Sequence, residues 1–399
     1  MFGGNLIFQT LDDKSECVGV YVDGELHFDN IPVGLTQTWK YTGSLKDKDI
    51  EYAWLYSNGK NLEQAAPEEM LPELVKVQRH FKAYMKSFQI AKINMREHCV
   101  FDLVPADFLK RFCEIKNKIT EYVFENYEKP KNYEHLTKVQ ELLYKIKYQD
   151  LNVNNEGCKN LFYRTRDREK VKNILDGSKH IDYNLFGTIT GRLTTSSDSF
   201  PILTMRQDYR KIVKPHNELF LSLDYNGAEI RTFIGLSGKD QPLGDVHQWN
   251  VDNIFDGEMS RDIAKTVFFA WLYNPDAQTI ETDYYDRKKL LEKWYQNGFI
   301  STPSMREIRV SYEKAFNYLL QSTTADLVLD RAVEIDKFLE GKKSFISHII
   351  HDEIVIDLDN EERHLTPEIK TIFSKTPFGN YMVNLRAGQN YFDLKELKL

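Results

Sequence analysis

The length, composition and charge of the chain exclude several classes of protein. Its 399 residues, 41% hydrophobic and 28% charged, supply enough apolar material for two or three packed lobes and argue against global disorder. No apolar run approaches the ~18 residues of a membrane span, so we expect no membrane partner. The net charge of −7 does not exclude nucleic acid, because binding depends on local patches.

The N-terminus and the cysteines favour a cytoplasmic setting. Residues 1–5 lack the basic and apolar segments of a signal peptide. The four cysteines, at positions 17, 99, 113 and 158, are scattered without a Cys-x-x-Cys pair. This spacing argues against a zinc ribbon or a disulfide framework and fits a reducing cytosol.

The first 85 residues are predicted to form a small β-rich domain. Apolar or alternating runs occupy 5–9, 17–22 and 25–28, and Asp23-Gly24 is typical of a hairpin turn. A helical region follows, from about 72 to 150. Apolar residues recur there at three- and four-residue steps in 112–123 and 139–146, and residues 128–132 separate the two helices.

A basic segment follows the helices. Residues 159–172 contain six Lys or Arg and two acids, a net charge of +4, with Phe162 and Tyr163 among them. A solvated charged face and a phosphate-binding face explain this pattern equally well.

Paired acids point to a metal site further along the chain. The apolar strand predicted for 218–224 ends on Asp224, and Asp352 and Glu353 lie between β-rich runs at 344–350 and 354–358. A single acid at a strand end is usually a turn former. Two such sites on separate strands favour a shared divalent ion, and hard oxygen ligands suit Mg²⁺ or Mn²⁺.

One predicted helix carries a stripe of cations and aromatics. Arg261, Lys265, Phe269 and Tyr273 are spaced by four, so each advances only ~40° around the helix. The cations could be solvated and the aromatics could be core. Alternatively, the stripe binds polyphosphate and stacks on a base.

A later helix carries an amide pair, Asn317 and Gln321. The pair could cap or join helices. It could also donate to the acceptors that every base pair presents in the minor groove.

Six motifs in this order resemble the polymerase portion of family A DNA polymerases, the bacterial DNA polymerase I group with its phage members. The matching segments are Thr190-Gly191-Arg192-Leu193-Thr194-Thr195 (the Thr-Gly-Arg-Leu loop), Asp224-Tyr225-Asn226-Gly227-Ala228-Glu229-Ile230-Arg231 (motif A), Asp245-Val246-His247, Arg261 to Tyr273 (motif B), Gln321 to Asp326, and His351-Asp352-Glu353 (motif C).

The chain also departs from the family pattern. Residues 200–203 replace an Asn-Leu-Gln-Asn segment, Gly227 replaces a glutamine, Glu313 stands where an arginine is usual, and the stretch after Tyr273 is short. The metal ligands are unaffected by these departures.

The resemblance implies an α+β fold of the right-hand polymerase type behind a small β-rich N-terminal domain. The expected domains are a reduced exonuclease remnant or cap at 1–85, a helical thumb at 86–180, a palm formed by 181–240 and 310–399, and shortened fingers at 241–309.

The resemblance also implies two-metal phosphoryl transfer from dNTPs to a primer 3′-hydroxyl. Two Mg²⁺ ions, which Mn²⁺ can replace, would be held by Asp224, Asp352 and the backbone carbonyl of Tyr225, with Glu353 in support and Lys265 as proton donor. The implied dNTP-binding residues are Arg261, Lys265, Phe269, Tyr273, His247, Glu229 and Tyr225. The implied DNA-binding residues are Arg192, Asn317, Gln321 and His351, to which the basic segment adds Arg164, Arg166 and Arg168.

The implied partners are primer-template DNA and dNTPs, in the cytoplasm of a bacterium or a phage-infected cell; an accessory processivity factor is left open. Proofreading is expected to be absent, since residues 1–85 are too few for the family's exonuclease. Two alternatives stay open: a single-subunit RNA polymerase-like enzyme and an inactive DNA-binding accessory subunit.

Overall fold

The structure is a computed structural model that describes residues 6–12, 19–28, 30–95, 97–274, 277, 280, 282 and 284–398. The chain divides into two units, Met1–Tyr144 and Lys145–Leu399. Among the described residues, none of the helices combines the length and the apolar character that crossing a bilayer would need.

The first unit contains a five-stranded mixed sheet. Its strands are β1 (Leu6–Thr10), β2 (Val20–Val22), β3 (Glu25–His27), β4 (Leu35–Thr38) and β5 (Glu51–Tyr52), in the order β3-β2-β1-β4-β5. Strand β1 is antiparallel to β2 and parallel to β4. Asp23 and Gly24, with φ of 49° and 82°, form the turn between β2 and β3. The predicted hairpin turn is confirmed.

In the described part of the first unit, six helices begin: α1 (Ala53–Tyr56), α2 (Leu62–Ala65), α3 (Leu71–Ile90), α4 (Val100–Leu103), α5 (Ala106–Asn126) and α6 (Tyr133–Tyr148). The two predicted long helices are α5 and α6. Helix α5 packs on β1, where the Gln9 amide donates to Asn117 Oδ1 at 2.8 Å and Thr120 Oγ1 at 3.1 Å. The unit therefore extends well past residue 85, the boundary predicted from the sequence.

The second unit is built around an antiparallel sheet. Its elements in chain order are β6 (Asn152–Val153), α7 (Thr165–Asp176), β7 (Tyr183–Asn184), β8 (Thr194–Thr195), β9 (Val213–Lys214), β10 (Leu219–Tyr225), α8 (Ala228–Leu236), α9 (Val246–Asn253), α10 (Arg261–Tyr273), α11 (Arg287–Trp294), β11 (Tyr295–Gln296), β12 (Phe299–Ser301), β13 (Glu307–Arg309), α12 (Tyr312–Phe338), β14 (Phe345–Ile350), β15 (Glu353–Leu358), α13 (Thr366–Ser374), β16 (Lys375–Thr376), β17 (Gly379–Asn380), β18 (Val383–Gly388) and β19 (Lys395–Glu396). The central sheet has the order β14-β15-β10-β18-β19.

Strand β10 is the middle strand of this sheet, and its two faces have different roles. Side chains alternate across a strand, so Tyr225 and Asp224 point to opposite faces. The Tyr225 ring stacks on Phe373 of α13 at 4.0 Å, and its hydroxyl donates to the Phe373 carbonyl. Ser222 and Asp224 lie on the opposite face of β10.

The core beside the sheet fixes the orientation of α10. Phe268 and Trp271 are buried with residues of α8, α11 and α12. Phe268 and Trp271 face this core, whereas Lys265 of the same helix is exposed.

The cysteines differ from the sequence expectation at one position. Cys99 is disulfide-bonded, whereas Cys113 and Cys158 are free and buried. Cys17 lies outside the described residues, as do residues 1–5.

Candidate active site

A cavity of about 350 Å³ in the second unit collects most of the predicted site residues. Its lining comes from the loop before β8, the end of β10, the start of α8, α9, α10, α12 and the β14–β15 turn. The lining residues are Gly191, Arg192, Leu193, Asp224, Tyr225, Gly227, Ala228, Glu229, His247, Lys265, Phe269, Tyr273, Thr324, Ala325, Leu329, Ile349, His351 and Asp352.

Two carboxylates, those of Asp224 and Asp352, line the part of the cavity next to the sheet. Asp224 lies near the end of β10, and Asp352 lies in the turn before β15, after His351 in a left-handed conformation with φ of 54°. Burial raises the pKa of Asp224 to about 6, with further contributions from Asp352 and Glu353. Burial also raises the pKa of Asp352. Burial therefore disfavours the charged form of both carboxyl groups.

Glu353 occupies a different environment from these two acids. It is paired across the sheet with Asp224 but does not line the cavity. Its carboxylate accepts hydrogen bonds from the Ser222 and Tyr391 hydroxyls. Within the described part of the chain, no cluster of three or more His, Cys, Asp or Glu side chains is arranged to hold a metal ion. Any cation here would need oxygen ligands beyond Asp224 and Asp352.

An ion pair forms the next wall of the cavity. The Arg192 guanidinium, from the Thr-Gly-Arg-Leu loop, contacts the carboxylate of Glu229 in the first turn of α8. Glu229 is 8% exposed, and burial raises its pKa to about 7 even though Arg192 opposes the shift. The other carboxylate oxygen of Glu229 is buried, and none of the described residues donates a hydrogen bond to it.

Helix α10 contributes one cation and two stacked aromatics. Lys265, Phe269 and Tyr273 line the cavity, and the rings of Phe269 and Tyr273 stack at 5.9 Å. His247 lies 5.8 Å from Phe269, ring to ring. Burial, together with Lys265, lowers the pKa of His247 to about 4, so its imidazole is neutral near pH 7.

Arg261, at the start of α10, does not line the cavity. Its guanidinium donates to Asp245 Oδ2 at 2.6 and 3.0 Å. The other oxygen of Asp245 caps α9 by accepting from the backbone of His247 and Gln248. One carboxylate thus joins α9 to α10.

The remaining predicted residues lie outside the cavity lining. Asn317 donates to the Tyr273 carbonyl at 3.3 Å, and Gln321 lies one turn further along α12. Arg164, Arg166 and Arg168 are exposed at the start of α7, where Arg164 is the residue before the first turn.

Sequence reasoning missed a buried ion pair beside the cavity. Arg306, before β13, donates to Asp326 of α12 at 2.6 Å, and their side chains are 11% and 1% exposed. The guanidinium packs on Gly191, where an added Cβ would lie 2.7 Å from it. The signal available in the sequence was Asp326, a carboxylate directly before the apolar run Leu327-Val328-Leu329.

At position 227, where the chain departs from the family pattern, the packing requires glycine. Its φ is 68°, and an added Cβ would lie 2.5 Å from a methyl of Val246. Glycine therefore permits α9 to approach motif A closely, which brings His247 to the cavity.

The chain is similar in sequence to bacterial DNA polymerase I proteins. It is 26% identical over 238 residues to the thermostable DNA polymerase I of Thermus filiformis, covering 46% of this chain and 28% of that protein. It is 24% identical over 282 residues to DNA polymerase I of Chloroflexus aurantiacus, covering 56% and 30%. The chain thus matches less than a third of the length of these relatives. No protein-family model matches the sequence.

The fold leads to the same group. The structure matches the POL domain of Pol1 from M. smegmatis, solved in complex with DNA primer-template and dNTP, with a TM-score of 0.65 and 12% identity, over 98% of this chain and 96% of that one. The expected right-hand polymerase fold is confirmed by this match. The chain is therefore similar in sequence to bacterial DNA polymerase I proteins and has the fold of a Pol1 polymerase domain.

Proposed function

We propose that the chain is a DNA-directed DNA polymerase that extends a primer 3′-hydroxyl with dNTPs. The observation that carries this proposal is that the two acids, Asp224 and Asp352, line the same cavity as three side chains of α10, those of Lys265, Phe269 and Tyr273. Acids for metal binding, a cation for phosphate and aromatic rings for a base are the groups that nucleotide transfer requires.

The carboxylate pair fits divalent metal ions. Asp224 and Asp352 lie in a buried setting that raises the pKa of both, a condition that bound cations would relieve. The side chains of Asp224 and Asp352 and the carbonyl of Tyr225 would hold Mg²⁺ or Mn²⁺, with phosphate oxygens completing the ligand set. Bound metal would activate the primer hydroxyl and stabilise charge on the triphosphate.

The α10 side of the cavity would bind the incoming nucleotide. Lys265 would neutralise the triphosphate and donate a proton to the leaving pyrophosphate. Neutral His247 would donate a hydrogen bond there, and Phe269 and Tyr273 would pack on the sugar and the base. Arg261 would join them after leaving Asp245, because triphosphate oxygens compete with one carboxylate oxygen for its guanidinium.

Glu229 would select the sugar. It lies in the first turn of α8, five residues after Asp224, so it can cover the edge of a nucleotide whose phosphates lie at the acids. A ribose 2′-hydroxyl would collide with it or leave its buried oxygen poorly paired. This geometry favours dNTPs over rNTPs and so favours a DNA polymerase over the RNA polymerase alternative.

Primer-template DNA would contact two regions of the second unit. Arg192, Asn317, Gln321 and His351 would read the minor groove near the primer end. Exposed Arg164, Arg166 and Arg168 on α7 would contact phosphates, and Tyr163, 82% exposed beside them, offers a stacking surface.

The proposed domains are a palm around the β10 sheet and shortened fingers that include α10. The thumb proposed for 86–180 lies in the helical part of the chain. A DNA polymerase would act in the cytoplasm, where its substrates are.

We also propose that the chain does not proofread. The central strand β1 of the first unit carries no carboxylate, and its Gln9 amide is engaged with α5. Asp23 is in a turn, and Glu25 is exposed and paired with Lys110 at 2.9 Å. Among the described residues of this unit, no cluster of three or more His, Cys, Asp or Glu side chains is arranged to hold the metal ions of a nuclease.

Primer extension tests the proposed function against its alternatives. The chain is incubated with a labelled primer-template, Mg²⁺ and either dNTPs or rNTPs. We expect template-directed extension with dNTPs and little with rNTPs. Efficient rNTP extension would favour the RNA polymerase alternative, and DNA binding without extension would favour the accessory subunit.

A further inference from the structure

A hydrogen-bonded network holds Glu353 behind the paired acids. Ser222 Oγ donates to one carboxylate oxygen of Glu353 at 2.5 Å, and the Tyr391 hydroxyl donates to the other at 2.7 Å. The Arg386 guanidinium lies 3.6 Å from the first oxygen. Glu353 is 8% exposed, so it makes these contacts out of water.

The position of Glu353 close to both Asp224 and Asp352 makes these hydrogen bonds important for the metal site. It follows Asp352 directly in sequence, and the sheet register sets it opposite Asp224. Side chains of directly opposed residues share a face of the sheet, about 5 Å apart at Cβ. An unrestrained Glu353 would therefore be within reach of the ions that Asp224 and Asp352 bind. Both of its oxygens are instead directed to hydroxyl donors.

Tyr391 is the distant member of the network and is itself held firmly. Its backbone N–H donates to the Val213 carbonyl at 3.0 Å. The Arg210 guanidinium lies 4.8 Å above its ring, and His348 packs edge-on at 4.7 Å. Burial and Glu353 raise the pKa of Tyr391, so the phenol keeps its proton and acts as the donor.

We propose that Tyr391 is a positioning residue that, with Ser222, keeps the Glu353 carboxylate out of the metal site, so that two side-chain carboxylates and not three bind the ions. This inference rests on the proposed function of Asp224 and Asp352. A third carboxylate would bind divalent cations more tightly and would occupy coordination positions that the substrates need.

Direct Mn²⁺ binding tests the inference without catalysis. The electron paramagnetic resonance signal of free Mn²⁺ is followed as the full chain is titrated. Tyr391→Phe removes only the donor to Glu353, and we expect it to bind Mn²⁺ at least threefold more tightly than the wild type. Ser222→Ala removes the other donor and should act in the same direction, which keeps the test available if one variant folds poorly.

Tyr183 provides a matched control. Its buried hydroxyl donates to the Ile349 carbonyl at 2.6 Å, near the same turn but without contact to an acid. Tyr183→Phe should lower thermal stability without changing Mn²⁺ affinity. Tighter binding by Tyr391→Phe that disappears in the Glu353→Gln background would support the inference, since the two residues then act through one interaction.

The possible failures are distinguishable. Asp224→Asn should weaken Mn²⁺ binding; if it does not, the metal site and this inference both fall. Suppose that Asp224→Asn weakens Mn²⁺ binding. If Tyr391→Phe then leaves Mn²⁺ affinity unchanged, as Tyr183→Phe should, only the role of Tyr391 is overturned. The same holds if Tyr391→Phe still tightens Mn²⁺ binding when Glu353→Gln is also present. In primer extension, Tyr391→Phe should lower kcat at least threefold and lower the half-saturating Mg²⁺ concentration. An unchanged kcat would contradict the positioning role.

Discussion

Among single residues, Glu229 has a carboxylate whose burial lowers the stability of the fold and is also the residue proposed to select the sugar. Its folded-state pKa of about 7 exceeds the ordinary value of 4.5, so between these pH values the folded chain holds a proton that the unfolded chain has released. The stability contribution of Glu229 therefore falls as pH rises through this window.

Glu229→Gln should consequently stabilise the chain above pH 7. We expect a gain of about 1–3 kcal/mol near pH 8 that vanishes near pH 4, because glutamine does not titrate. Denaturant unfolding of both proteins at several pH values in EDTA measures this difference. A difference that does not change with pH would contradict the burial argument.

The same position should control the choice of sugar. Glu229→Ala removes the side chain that would meet a ribose 2′-hydroxyl, so we expect rNTP incorporation to rise roughly tenfold or more relative to dNTP incorporation. Single-nucleotide extension with matched dNTP and rNTP measures the ratio. An unchanged ratio would remove Glu229 from the proposed sugar selection.

At the scale of elements, the orientation of α10 decides which aromatic residue meets the nucleotide. Phe269 lines the cavity, whereas the adjacent Phe268 is fully buried in the core. Of the stripe predicted from the four-residue spacing, Lys265, Phe269 and Tyr273 line the cavity and Arg261 does not. The pairing of Arg261 with Asp245 was not predictable, because it depends on how α9 packs beside α10.

Phe269→Tyr should relax rejection of dideoxynucleotides. The added hydroxyl can supply a hydrogen bond that the missing 3′-hydroxyl otherwise makes, and one bond of about 1.4 kcal/mol corresponds to about tenfold. Competition between dideoxynucleotides and dNTPs measures the change. Phe268→Tyr is the control: it should lower stability without altering discrimination, and the opposite result would mean that the helix orientation is wrong.

The sequence predicted the elements of the sheet better than the contacts of its acids. Strands β10, β14 and β15 follow from apolar runs that end at Asp224 and flank His351 and Asp352. The restraint on Glu353 could not be predicted, because Ser222 and Tyr391 are remote in sequence and meet it only through the register. The steric need for Gly227 was hidden for the same reason, since Val246 approaches it through tertiary packing.

For the whole molecule, the two units differ in the candidate catalytic side chains that they contain. The second unit contains the cavity with its acids, while the sheet of the first unit has Gln9 on its central strand. The extent of the first unit was not predictable from composition, because α5 joins the N-terminal sheet through contacts distant in sequence.

We therefore expect no 3′–5′ exonuclease activity. A labelled primer with a 3′ mismatch, incubated with the chain and Mg²⁺ but without nucleotides, should keep its length. Shortening that Asp23→Ala abolishes and Asp224→Ala does not would show a second active site in the first unit.

The central claim is that Asp224 and Asp352 form the metal site of a DNA polymerase, and primer extension by their alanine variants tests it most directly. Metal activation and charge stabilisation each contribute several kcal/mol, so each variant should extend slower by several orders of magnitude. DNA affinity should change little, because phosphate contacts elsewhere supply it. Asp357→Asn is the matched control: Asp357 is a buried acid of β15 that accepts hydrogen bonds from the backbone of His216 and Asn217, and its variant should still extend DNA. Extension near the wild-type rate by Asp224→Ala or Asp352→Ala would contradict the account.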